Sequence, residues 1–494
     1  MPLRVGDRVE VSGQRGTVRF IGSVEGYSGE WVGMEWDDAT RGKHDGTVNG
    51  VRYFTTSHKT GGSLVRPKLV RVGEEFVATV LQKYADDEEN EDSGLVWGNR
   101  AVNLVNLRKG KPKQRRSIVL TDSLVSHSSL PSPDPAFPHC LELNLDCNLL
   151  SRWSEVMNCL RHTPNCRELI IGGNIMEHVQ SAEQLTGLAK AEKVQILVLA
   201  KCLLDQTTIT LILGLFPGLK ELYATQNCLH SFSLPSPSTC AYTLVDLESN
   251  SIRSFDDIRQ LALLPNLEKL SLASCALTEI RLPRLGGEGE GTVGDVGYRN
   301  LHTLNVKHNN IRDWSSIDEL RLLDKLTTLY IDLDKFHAEF GMDSREVIIA
   351  KLPKLCDLER YKLSEVERRS AEIRFLNKYS SLSEERRRRE GHEGDLERLE
   401  KIHGPPVLDN ARLKQLSIVR VAFERGDKRL PPRALPTSLT VARMLDMARR
   451  LFALGRDEEV EAELDQNGYR MPLDNPMRQL AYYQPQDDDV IRIS

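Results

Sequence analysis

One pattern constrains this chain more than any other: L-x-x-L-x-L-x-x-N-x-L returns along its middle. LNLDCNLL holds Leu143, Leu145, Asn148 and Leu150; LIIGGNIM holds Leu169, Ile171 and Asn174; LVLAKCLL puts Cys202 in the asparagine slot. LYATQNCL offers Asn227, VDLESNSI offers Asn250, LSLASCAL uses Cys275, and LNVKHNNI returns to Asn309. These slots lie 26, 28, 25, 23, 25 and 34 residues apart. The weaker IVLTDSLV and LYIDLD add Ser123 before them and Asp334 after them, each at a step of 25. Each short strand sends its leucines into a core that it shares with the next turn. The slot residue must satisfy loop backbone groups cut off from water. Asparagine does this with a donor and an acceptor, whereas cysteine does so less well. Nine turns, counting both degenerate ends, predict a curved α/β solenoid over residues 116–335.

A solenoid has open ends. The segment VIIAKLPKLCDLERYKLSEVERRSAEIRFLNKY supplies a cover for the last apolar face, so residues 336–380 are expected to be a repeat cap. The long step contains GGEGEGTVGDVG, which should loop out between turns. A chain of 494 residues exceeds one core, and at roughly 100–200 residues per domain it holds about three. Residues 1–73 read as short alternating strands in a small all-β barrel, with Trp31, Trp36, Tyr53 and Phe54 partly needed to fill it. Residues 411–494 read strand, strand, helix, strands. The helix carries Leu439, Val441, Leu445, Ala448 and Leu451 on one period.

Two charged seams separate these blocks. In 74–115, an acidic run from Asp86 to Asp92 is followed by a basic run from Arg108 to Arg116, which reads as a solvated linker. Residues 381–410 are charged and helical until Gly404, Pro405 and Pro406.

Composition narrows the function. With 66 basic against 71 acidic side chains, overall charge draws the chain to neither nucleic acid nor membrane. Neither a signal peptide nor an apolar run of spanning length is visible, which predicts a soluble, cytoplasmic protein. Nine scattered cysteines without a C-x-x-C pair imply reduced thiols. Cys159, His162 and Cys166 match no zinc signature, so neither a metal nor a cofactor is expected. A Walker loop, G-x-S-x-G and H-E-x-x-H are all missing, so the chain is not expected to be an enzyme.

The block WVGMEWDDATRGKHDGTVNGVRYF, closed by GGSLVRP, resembles the CAP-Gly domain. That family binds Glu-Glu-Tyr or Glu-Glu-Phe C-terminal tails of α-tubulin and similar proteins, usually through GKNDG. A free carboxylate beside an aromatic ring calls for a cation and an apolar slot. The resemblance therefore makes Trp31, Gly42, Lys43, His44, Asp45, Gly46, Phe54 and Arg66 the expected tail-binding residues. Lys43 would supply the charge and Trp31 and Phe54 the slot. Gly42 and Gly46 would give close backbone approach, and Arg66 a second cation. His44 replaces the usual asparagine, and Leu64 stands where many members carry phenylalanine. Residues 1–73 hold eleven Lys and Arg against eight Asp and Glu, a mildly basic module suited to an acidic peptide.

The strand order of 411–494 resembles the ubiquitin-like β-grasp, but the chain ends Ile493-Ser494 without a diglycine, so conjugation is not implied. CAP-Gly barrel, leucine-rich-repeat solenoid and ubiquitin-like block, in that order, resemble the tubulin-folding cofactor E family. That resemblance implies a cytoplasmic, cytoskeleton-associated chaperone. Such a protein captures α-tubulin by tail and body, works with cofactors B, C and D in assembling the αβ heterodimer, and also takes the dimer apart. The alternatives are a microtubule-end adaptor, though sustained heptads for a coiled coil are missing, and a ubiquitin-pathway adaptor that meets the proteasome.

Overall fold

The computed structural model describes residues 3–85, 114–131, 134–234, 236–285, 296–406, 418–455, 460–466 and 468–494. The acidic run 86–92, most of the basic run and most of the glycine-rich insertion lie outside them. The chain divides into two compact units, residues 1–339 with 351–363, and residues 340–350 with 364–494.

In the first unit the repeats stack as expected. Strands from Ser117–Val119 to Asp357–Leu358 form a parallel ladder, which Tyr361–Lys362 closes by antiparallel pairing. The register is unbroken: Ile118, Leu143, Leu169, Leu197, Leu222, Val245, Leu270, Leu304, Leu329 and Leu358 lie side by side, all buried. Two residues further along each strand a second apolar side chain, from Leu120 to Ile331, is buried as well.

The slot asparagines tie consecutive turns together. Asn250 Oδ1 accepts the N–H groups of Asn227 and Leu229, at 3.0 and 2.9 Å, in the turn before it. Its Nδ2 donates to the carbonyls of Ala224 and Leu247. Asn148, Asn174, Asn227 and Asn309 repeat the arrangement. Cys202 and Cys275 reach only one side, their Sγ donating to Ile171 O and Leu247 O. At the end of the stack Asp334 is exposed and does not occupy the expected slot. Asp332 accepts from His308 N–H at 2.8 Å instead, and Lys335 Nζ caps Asn309 O. Asp332 thus reaches back to the preceding turn in place of Asp334, and Glu359 in its turn accepts the N–H of Ile331 at 2.7 Å.

The first block is a four-stranded antiparallel sheet of β1 (Arg8–Val11), β2 (Gln14–Val24), β3 (Tyr27–Trp36) and β4 (Gly62–Val65) over Val9, Val18, Val32 and Met34. It is not joined to the solenoid by a free linker. Residues 74–85, expected to begin the charged linker, instead form β5 (Glu74–Glu75), which pairs with Val125–His127, and α1 (Phe76–Ala85). Phe76 is buried edge-on to Phe137 at 5.8 Å, so α1 covers the first open end of the stack. Tyr84 Oη bonds Val119 N–H at 2.9 Å, and Arg115 lies 3.9 Å over the Tyr84 ring. Tyr84 and Val119, on either side of residues 86–113 in sequence, are thus bonded to each other. Arg152 pairs with Asp7 at 2.6 Å, and Arg15 pairs with Asp122, across the junction of barrel and repeats.

In the second unit, Glu365–Tyr379, Glu384–Arg389 and Glu393–His403 are helices, so the second seam is helical as expected. Phe375 stacks on Tyr379 at 4.3 Å, and Glu372 meets His403 at 2.7 Å. The last block is a β-grasp. Ile418–Arg425 runs between antiparallel Arg433–Pro436 and parallel Val490–Ile493, which Ala462–Gln466 and Tyr469–Pro472 extend. The helix Val441–Phe452 buries Val441, Met444 and Ala448 on Phe423, Leu464 and Ile491. Met444 holds the centre of that face, while Leu445 and Leu451 pack at its edge.

Asn250→Ala should lower stability by about 2–4 kcal/mol, because it strands two buried N–H groups and two carbonyls. Urea unfolding measures it, and tail-peptide binding should be unchanged.

Candidate peptide-binding cleft

The GKHDG loop lies against β4. Lys43 and His44 N–H both donate to Gly62 O, at 2.7 and 3.2 Å, and Gly62 N–H returns to His44 O at 2.8 Å. This approach explains the glycines. A Cβ on Gly42 would lie 2.0 Å from Thr60 O, and one on Gly46, at φ +97°, 2.1 Å from Phe54 O. The missing side chains, and at Gly46 the positive φ, bring the loop onto its own barrel rather than onto a ligand.

His44 fills the asparagine position chemically. Its Nδ1 accepts from Gly46 N–H at 3.0 Å, as an asparagine oxygen does in an Asx turn, which leaves the ring proton on Nε2. Burial, with Lys43 nearby, holds its pKa below the ordinary histidine value against the opposing pull of Asp45, so the ring is neutral and Nδ1 free to accept at pH 7. Asp45 acts within the loop. Its Oδ1 accepts from Thr47 N–H at 3.0 Å and its Oδ2 meets Arg52 at 3.1 Å; the Thr47 hydrogen bonds, with lesser help from Arg52, hold its carboxyl below the usual carboxylate range.

Beside this loop lies a cleft of about 490 Å³, walled by Tyr27, Trp31, Trp36, Lys43, His44 and Leu64, with Val11, Arg41, Val48, Ser63 and Val65 completing it. Lys43 is exposed, and its ammonium has no carboxylate partner among the described residues. Tyr27 stands edge-on to Trp31 at 5.7 Å. Trp36 is both core and cleft: it is buried, its Nε1 donates to Ser63 Oγ at 2.9 Å, and Arg41 lies 4.1 Å over its ring. Arg66 stacks 3.7 Å over Trp31 and donates to Ser28 O at 2.6 Å, so it braces the indole.

The structure thus brings Trp31, Lys43 and His44 onto one wall, with Gly42 and Gly46 behind it. Phe54 is not on that wall. Its ring, 6% exposed, fills the space left by Gly33, Gly46 and Gly62 and meets the His44 edge at 5.9 Å. The apolar side of the cleft comes instead from Tyr27, Leu64 and Val65. Strand alternation gives no signal for Tyr27: the register of β3 against β2 shifts between Tyr27 and Glu30, and Gly29 between them has a φ of +76°. An exposed ammonium beside an aromatic and aliphatic wall suits an anion attached to an apolar group.

Elsewhere, four of the thiols are buried and held protonated. Cys159 and Cys166 are buried with His162, whose Nε2 lies 2.8 Å from Ser129 O. Burial raises both thiol pKa values, and it pushes Cys140 and Cys202 up to about 12. No helix among the described residues is long and apolar enough to cross a membrane.

Residues 5–70 match the model of the CAP-Gly domain. The class this defines is a CAP-Gly protein with a leucine-rich-repeat solenoid and a ubiquitin-like block. Over its whole length the chain is similar to tubulin-specific chaperone E of Mus musculus, 29% identical over 533 residues, covering 100% of this chain and 99% of that one. The Danio rerio protein of the same name is 27% identical over 529 residues, covering 99% and 98%. Among solved structures, the C-terminal ubiquitin-like domain of mouse tubulin-specific chaperone e aligns with 18% identity and a TM-score of 0.14, covering 16% of this chain and 84% of that domain. The resemblance to tubulin-folding cofactor E therefore runs from end to end of the chain.

Phe54→Ala should destabilise the barrel by about 3–5 kcal/mol. Tyr27→Ala should leave stability within about 0.5 kcal/mol and weaken binding of a peptide ending in Glu-Glu-Tyr. Thermal unfolding and peptide titration separate the two.

Proposed function

We propose that this chain is a tubulin-folding chaperone that captures α-tubulin, its CAP-Gly cleft taking the acidic-aromatic C-terminal tail and its solenoid the body. The observation that carries the reading is the exposed Lys43 ammonium, without a carboxylate partner among the described residues, beside the Tyr27–Trp31 wall, in a chain similar throughout to tubulin-specific chaperone E. The terminal carboxylate meets Lys43, and the last ring lies against Trp31 and Leu64. His44 keeps the loop in shape and Arg66 keeps Trp31 in place.

The work that follows capture is assembly of the αβ heterodimer with cofactors B, C and D, and dissociation of the dimer with a partner cofactor, in the cytoplasm beside the cytoskeleton. The chain carries no nucleotide motif, so dissociation is driven by binding energy that favours monomeric α-tubulin over the dimer. Two weak sites on one unit gain roughly 10²–10⁴ in avidity when both engage. The barrel docks on the first repeats through β5 and the Arg152–Asp7 pair, which supports joint engagement with little orientational entropy to lose. The ubiquitin-like block is left to recruit a further cofactor or the proteasome.

Amidating a Glu-Glu-Tyr peptide should cost about 1–3 kcal/mol of affinity for the full chain, the scale of a lost charge-assisted contact. Lys43→Ala should slow dissociation of tubulin dimer at limiting concentration. Equal affinity for acid and amide, together with unchanged dissociation, contradicts the reading.

A further inference from the structure

A second surface of the first unit is built for anions. At the edge of the repeat sheet where the strands begin, Arg116, Leu141, Arg167, Gln195 and Lys220 occupy successive rungs. Each carbonyl accepts the N–H of the next residue in that row, at 2.6, 2.7, 2.8 and 2.8 Å. Every second rung is therefore a cation. With neighbouring strands about 4.8 Å apart, the cations recur roughly every 10 Å.

Between Arg116 and Arg167 the edge sinks into a cleft of about 500 Å³, lined by Arg116, Pro138, His139, Leu141, Arg167 and Lys193 together with Asn165. Lys193 is held in place: its Nζ donates to Asn165 Oδ1 at 2.6 Å, and Asn165 Nδ2 donates to Pro138 O at 2.7 Å. Arg116, Arg167 and Lys193 are exposed, and neither arginine has a carboxylate within ion-pair distance among the described residues. Glu142 and Glu168, the next residues along their strands, do not line the cleft.

The backbone N–H groups of this row are consumed by the ladder, so the ledge has no donors set aside for a terminal carboxylate. Its ligand is read by side-chain anions. A peptide in the extended polyproline II conformation rises about 3.1 Å per residue with about three residues per turn, so acidic side chains three positions apart share a face roughly 9 Å apart and match the cations. Tyr, Trp and Phe are missing from the lining, and single-stranded nucleic acid would find no such platform for its bases. We propose that this ledge binds an extended acidic segment of a partner protein, its carboxylates spaced to meet Arg116, Arg167 and Lys220, with Lys193 reinforcing the middle. The proposal is independent of the CAP-Gly reading.

The test is fluorescence anisotropy of the full chain with a glutamate-rich peptide whose C terminus is amidated, at low salt. Arg116→Glu with Arg167→Glu should weaken binding at least about ten-fold, the neutral pair Arg116→Gln with Arg167→Gln should weaken it less, and Lys43→Ala should leave it unchanged. Should the charge-reversed chain fail to fold, the neutral pair decides. Undiminished binding by a folded ledge variant, loss on Lys43→Ala alone, or tighter binding of a single-stranded RNA of equal charge would each overturn the proposal.

Discussion

A turn of this solenoid cannot exist alone. Its leucine is buried only because the neighbouring turns place their own leucines on either side, and its loop N–H groups are satisfied only because the asparagine of the next turn reaches back to accept them. Asn250 shows the dependence in one residue, holding the N–H groups of Asn227 and Leu229 while its own amide spans to Ala224 O. The stack is therefore cooperative along its length, and whatever is attached to its first turn is attached to a stiff body.

The barrel is attached there. β5 continues from the barrel into a pairing with Val125–His127, α1 covers the open end with Phe76, and Asp7 and Asp122 accept arginines from across the junction. On the two sides of the charged stretch that reads as an interdomain spacer, Tyr84 and Val119 are bonded to each other. The seam therefore does not act as a hinge between the first two blocks. Peptide cleft and repeat surface form one object with a fixed geometry, a setting in which two modest affinities reinforce each other.

Much of this was legible in the sequence. The repeat announces itself because its period and its buried apolar positions obey one rule from turn to turn; the slot rule weakens at Cys202 and Cys275, which reach only one side, and fails at Asp334, where Asp332 reaches back instead. The GKHDG motif located the cleft, and Trp31, Lys43 and His44 line it. What the motif could not convey was depth. Phe54 and Trp31 look alike as aromatic residues near the loop, yet three glycines open a space beneath it that the Phe54 ring enters, while Tyr27 reaches the wall from the irregular start of β3. The helix on Phe76–Ala85 escaped because its short apolar face, Phe76 and Val80, precedes a long charged run that dominates the composition.

The central claim is that the CAP-Gly cleft, fixed on the solenoid, is where α-tubulin enters. The direct measurement is to place a photo-crosslinking residue at position 64, on the cleft wall, in the full chain and to irradiate it with tubulin dimer. The account predicts that the adduct maps to the last residues of α-tubulin and disappears when the terminal aromatic residue is removed. An adduct on the β subunit, or one on α-tubulin that survives loss of that residue, would contradict it.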